Sequence, residues 1–200
     1  MDSETRTARA GEKKQLILQT IAEMLEQPQS IKITTALLAH KLDVSEAALY
    51  RHFASKAQMY EGLIEFVEQG MFSVIARIEA DQHDGIAQAE AITASLLRFA
   101  QRNRGLTRVL VGEALVHENP RLQARINQLL DRLEAQIRQA LKIAIAQGRL
   151  AGSHDVAAHA NALMSVVTGH WQRFVKTGFK ADPLAHWPAQ RVLLGLAARE

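Results

Sequence analysis

Between residues 45 and 56 the chain gathers Ser45, Tyr50, Arg51, His52 and Lys56 around Glu46, Ala47 and Ala48. Hydroxyl, phenol, imidazole and ammonium donors suit phosphate oxygens. Arg51 is the one side chain of the stretch able to pair bidentately with guanine, and Ala47 and Ala48 can meet thymine methyls. Without Asn or Gln to read adenine, affinity should rest mainly on phosphate contacts and groove shape. Thr34 and Thr35 add hydroxyls just upstream, and Lys56 falls where the free N–H groups of a helix start also attract phosphate. The expected DNA-contacting set is therefore Thr34, Thr35, Ser45, Ala47, Ala48, Tyr50, Arg51, His52 and Lys56. Arg6, Arg9, Lys13 and Lys14 could add backbone contacts, with a solvated basic tail an equal alternative.

Catalytic chemistry finds little support. None of the eight histidines stands in an HExxH-type spacing. His154 and His159, five apart, are expected on different helix faces. There is no Gly-rich phosphate loop or GxSxG elbow. Pairs such as Glu65 and Glu68 read as solvated helix faces. With no cysteine in the chain, thiol catalysis, disulfides and zinc-finger ligands are excluded. No catalytic residue, metal or cofactor is expected.

The elements that must position these residues are all helical. Apolar spacing predicts a first helix over 13–26, ended by Pro28, behind a flexible arm over 1–12. Thr34 caps a short helix over 35–41, Leu42-Asp43-Val44 turns, and Ser45 caps a second, with Leu38, Val44, Leu49 and Phe53 facing inward. Ser55 caps a long helix from Lys56 to Ala80. Further helices are predicted over 86–102, 106–117, 120–148 behind Asn119-Pro120, 154–177 capped by Ser153, and 188–198. About nine helices and no sheet define an all-α chain: a three-helix helix-turn-helix domain over 13–55 and a larger helical domain over 56–200. Ala160, Leu163, Val167, Trp171 and Phe174, with Val192, Leu193 and Leu196, would form an intermolecular four-helix bundle or an intramolecular core.

The chain has 200 residues, 48% hydrophobic, with a net charge of +3. No run is long enough to span a membrane, and the polar N-terminus lacks a secretory signal, so a cytoplasmic location is expected. Residues 61–100 are acidic and 101–150 basic, consistent with two helix faces that complement each other.

The motif Leu49-Tyr50-Arg51-His52-Phe53 and Lys56 opening a long helix resemble the TetR family over 13–66. Asp43 stands where that family usually has glycine. The string AALYRHFASKAQMYEGLIEFVE, then RNRGLTRVLVGEALVHENPRLQARINQLLDRLEAQIRQAL and His186-Trp187-Pro188, resembles the nucleoid occlusion branch of that family over 13–199. The resemblance implies a nucleoid-associated homodimer on near-palindromic sites, with several dimers possible per site. It also implies binding of the C-terminal tail of the tubulin-like division protein FtsZ, which antagonises Z-ring assembly over the chromosome. The matching tail positions are Phe66, Arg102 and Asn103, with Val74, Ser95 and Arg98 nearby, where this sequence departs from the family's pattern. The alternative for Phe66 is core packing, and for Asn103 a helix C-cap. Within the homodimer the expected interface is Leu163, Val167, Trp171, Phe174, Val192 and Leu196, an intramolecular core being the alternative. A ligand-responsive TetR-type repressor is the alternative, disfavoured because few aromatics and a Leu/Ile/Ala core suggest close packing with no small-molecule ligand.

Overall fold

A computed structural model of the chain describes residues 2–27 and 33–197, with 2–10 by backbone alone. Among the described residues there are nine α-helices, one 3₁₀ turn and no strand. Helix α1 spans Asp2–Leu25, α2 Thr35–Lys41, α3 Glu46–Tyr50 and α4 Lys56–Asp81. Then follow α5 Gly85–Arg102, α6 Arg104–Leu110, the 3₁₀ turn Glu113–Leu115, α7 Pro120–Ala146, α8 Val156–Lys176 and α9 Trp187–Leu193.

Local side-chain caps start most of these helices. The oxygens of Thr34, Ser45 and Ser55 accept from the backbone N–H groups of Leu37, Ala48 and Gln58, at 3.1, 3.2 and 3.2 Å. Asn119 caps α7 ahead of Pro120. Asp43 turns the chain with φ of 53°, a left-handed conformation that Asp tolerates better than most residues.

Several boundaries differ from expectation. The segment expected as a flexible arm is helical, α1 beginning at Asp2. Glu4, Arg6, Ala8, Arg9, Ala10 and Glu12 are good helix formers, and one glycine, Gly11, does not stop them. The Pro28 stop lies outside the described residues, as does the predicted end of the last helix at 198. Asp155, not Ser153, caps α8: its carboxylate accepts from Ala157 and Ala158, while residues 151–154 form a turn closed by His154 N–H on the Ala151 carbonyl. Helix α6 stops at Leu110 because Gly112 adopts a φ of +79°. Gly195 ends α9 the same way, and Leu196 N–H then closes onto the Arg191 carbonyl, folding the Leu196 side chain back into the core.

Helices α5, α7 and α8 form the centre, with α4 packed on α5 and α7. Their interior is filled by Ile92, Leu96, Leu97, Leu129, Leu133, Ile137, Leu163, Val167 and Trp171. Two glycines allow helices to approach backbone to backbone. A Cβ at Gly85 would lie 2.4 Å from the Ala140 carbonyl on α7, and one at Gly105 would lie 2.0 Å from the Ala22 carbonyl on α1.

For most of the expected dimer set this packing is the alternative, an intramolecular core. Leu163, Val167, Trp171, Phe174 and Leu196 are all buried within one protomer, and the Trp171 indole donates to the Leu96 carbonyl at 3.0 Å. Of that set only Val192 is exposed, beside Leu193. Helical periodicity marks which side chains leave water, not which chain covers them.

The acidic and basic stretches of the sequence meet across α4 and α7. Glu68 is buried and takes ion pairs from both Arg125 and Arg132, and the Arg132 guanidinium lies 4.5 Å from the Phe72 ring. Arg149 reaches Asp84 at 3.1 Å.

Candidate nucleic-acid interface and partner groove

Leu38, Leu49 and Phe53 hold α3 against α2 and α1, as their spacing predicts. Val44 does not join them: it is 44% exposed, because the left-handed Asp43 turn carries it to the rim beside Leu16, Ala48 and His52. Thr34, Ser45, Ala47, Tyr50 and Arg51 are exposed around α3, while Thr35, Ala48, His52 and Lys56 are half-buried. Thr34 and Ser45 accept backbone hydrogen bonds as caps, so each hydroxyl proton stays free to donate outward.

Two members of the set are engaged inside the protein. The Thr35 hydroxyl donates to the Glu46 carboxylate at 2.6 Å, tying α2 to the first turn of α3. The Lys56 ammonium pairs with Glu118 and lies 5.6 Å from the centre of the Tyr60 ring. Burial, and then the charge of Glu118, push the Tyr60 phenol well above its ordinary range. Neither partner was expected from the sequence, Glu118 lying 62 positions from the lysine it meets. Lys14 sits 5.8 Å from the Phe53 ring, so it braces the motif, while the side chains of Arg6 and Arg9 lie outside the described residues.

A second candidate site lies between α4 and α5. Val74, Ser95, Arg98, Arg102 and Asn103 line one groove of about 250 Å³ with Gly70, Met71, Leu96 and Phe99. The floor is apolar and two guanidiniums flank it. Phe66 is not in this groove. It is 54% exposed, which excludes simple core packing, and it lines an adjoining depression of about 280 Å³ with Leu18, Leu63 and Leu106. Asn103 borders both. It also caps α5, its side-chain amide donating to the Phe99 carbonyl at 2.9 Å, the helix C-cap expected as the alternative for this residue.

His154 and His159, expected on different faces, meet instead. His154 precedes α8, so helical spacing does not govern it, and its Nε2 lies 2.9 Å from His159 Nδ1. The far nitrogen of His159 lies 2.8 Å from the Leu194 carbonyl at the end of α9.

A capped, tightly turned helix pair at the head of an all-helical body defines the TetR class of helix-turn-helix proteins. The tetR-family model of bacterial regulatory proteins matches residues 17–63, and the SlmA-like, tetracyclin repressor-like C-terminal domain matches 83–196. The fatty acid degradation regulator FadR of Bacillus halodurans superposes with a TM-score of 0.76 at 16% identity, covering 94% of this chain and 97% of that one. The nucleoid occlusion factor SlmA of Marinomonas sp. (strain MWYL1) is 44% identical over 89% of this chain and 90% of its own. SlmA of Vibrio cholerae is 45% identical over 92% and 97%. The chain belongs to the SlmA family of nucleoid occlusion factors.

Proposed function

We propose that this protein is a sequence-specific DNA-binding nucleoid occlusion factor, acting as a homodimer on near-palindromic chromosomal sites. While on DNA it captures the C-terminal tail of FtsZ in the α4–α5 groove and antagonises Z-ring assembly over the chromosome. One observation carries the partner assignment: five of the six expected tail positions line a single groove with an apolar floor and a basic rim. Such a groove suits an extended, partly acidic segment that orders on binding. Several dimers on one DNA stretch facing a filament with many tails would gain avidity that one tail contact lacks. The relatives' name supports the same reading.

The test is binding of a labelled FtsZ C-terminal tail peptide with and without duplex DNA. Binding is expected, strengthened by DNA, and Arg102→Ala should weaken it about tenfold, the scale of a lost charge-assisted contact, with DNA affinity unchanged. No tail binding in either condition would sink this reading and favour a ligand-responsive repressor. A parallel loss of DNA affinity in Arg102→Ala would overturn the groove assignment.

A further inference from the structure

Lys56 opens α4 directly after the recognition segment, yet its ammonium is taken by a carboxylate of the larger domain. Only 22% of the Lys56 side chain and 13% of the Glu118 side chain are exposed, so water screens this pair less than a surface pair. Glu118 sits on a short strap between α6 and α7. The strap leaves α6 at Gly112, passes through the 3₁₀ turn, holds the Glu118 N–H on the Leu115 carbonyl at 2.9 Å, and ends at the Asn119 cap. Tyr60 closes the other side of the lysine.

We propose that Glu118 competes with DNA for Lys56, so that phosphate binding at the start of α4 displaces the strap over 111–119. This rests on the DNA-binding reading above. A phosphate beside the first turn of α4 attracts the same ammonium that Glu118 holds. If Lys56 served both anions at once, carboxylate and phosphate would be brought together in a poorly hydrated corner and repel each other. Docking therefore separates Glu118 from Lys56, and the carboxylate weakens DNA binding by the free energy of the pair it gives up. The coupling is reciprocal: anything that fixes the strap against Lys56 lowers DNA affinity, and DNA loosens the strap. The strap is continuous with α6, whose Leu106 lines the depression beside Phe66 and Asn103. Phosphate occupancy is thereby linked by a short stretch of chain to the edge of the partner groove.

The test is a double-mutant cycle on the full chain, with fluorescein-labelled duplex DNA of random sequence as probe. Glu118→Gln, which keeps size and removes charge, should tighten binding about three- to tenfold and steepen its salt dependence. In a Lys56→Gln background the same substitution should change affinity less than about twofold. Equal tightening in both backgrounds would show a general charge effect, and no tightening in either would show no competition; each overturns the proposal. Hydrogen exchange over 111–119 should quicken when the wild-type chain binds the duplex, and unchanged or slower exchange overturns the displacement. Failure of the wild-type chain to bind any duplex would overturn the DNA-binding reading and this inference together. Binding indifferent to Glu118→Gln would overturn this inference alone.

Discussion

Thr35 and Lys56 carry donors that residue type alone assigns to phosphate, and each donates inward instead, to Glu46 and to Glu118. Chemical suitability is readable one residue at a time, but partners are not, because Glu118 reaches Lys56 only after α4 and α7 have packed. The same limit hides the His154–His159 pair, since α8 begins only at Val156 and His154 turns back toward His159 from outside it. That pair has a measurable consequence. Burial lowers the His159 pKa below its ordinary 6.5, and the neighbouring His154 lowers it further, while the Leu194 carbonyl acts in the opposite sense. The unfolded chain therefore takes up its proton first as pH falls. This contribution to stability is fully present above 6.5 and is lost as pH drops from there through the lowered folded value. Urea midpoints measured from about pH 7.5 to 5 should fall on acidification, and His159→Gln should flatten that fall. Parallel curves for the two proteins would show that the histidine pair is not the source.

Element starts were readable because a cap acts within three residues: Thr34, Ser45, Ser55 and Asn119 all stand where sequence reading placed them. Ends were less so. Gly112 and Gly195 each turn left-handed and stop a helix, and both were visible as glycines inside the segments expected to continue. Gly70 is the opposite case, a glycine in the middle of α4 that needs no special conformation. A Cβ there would meet nothing within 4 Å, yet the residue lines the α4–α5 groove. Glycine within a helix costs about 0.5–1 kcal/mol relative to alanine. Its place on the wall suggests that the open space serves the groove. Gly70→Ala is therefore expected to raise stability by about that amount in a urea melt. If the groove takes the FtsZ tail as proposed, the same substitution should weaken that binding by narrowing the groove. Higher stability with unchanged tail affinity would remove the methyl-free wall from the recognition argument.

For the whole molecule, the hardest question from sequence was whether the last two helices cover each other or a second copy. Within one protomer the structure already buries most of the residues in question. Leu163, Val167, Trp171, Phe174 and Leu196 close the interior of one protomer. Exposed instead are Ala158, Ala162, Ser165 and Gly169 of α8, spaced three or four apart, and Val192 and Leu193 of α9. Small side chains on one helix and large apolar ones on the next form a surface that two copies can bury by symmetric packing. Leu193 is 84% exposed, so a charge there leaves the protomer core untouched but enters the face the homodimer would use. Leu193→Glu should give a folded monomer by sedimentation, with unchanged helix content. Its DNA binding should weaken sharply, because one helix-turn-helix unit loses the gain of holding two half-sites at once. Leu163→Ala should do the reverse, costing about 2–5 kcal/mol through a cavity inside each protomer while leaving the dimer face intact. A Leu193→Glu protein that stays dimeric would place the two-fold axis elsewhere. The two helix-turn-helix units would then have to meet the half-sites of a palindrome from a different separation.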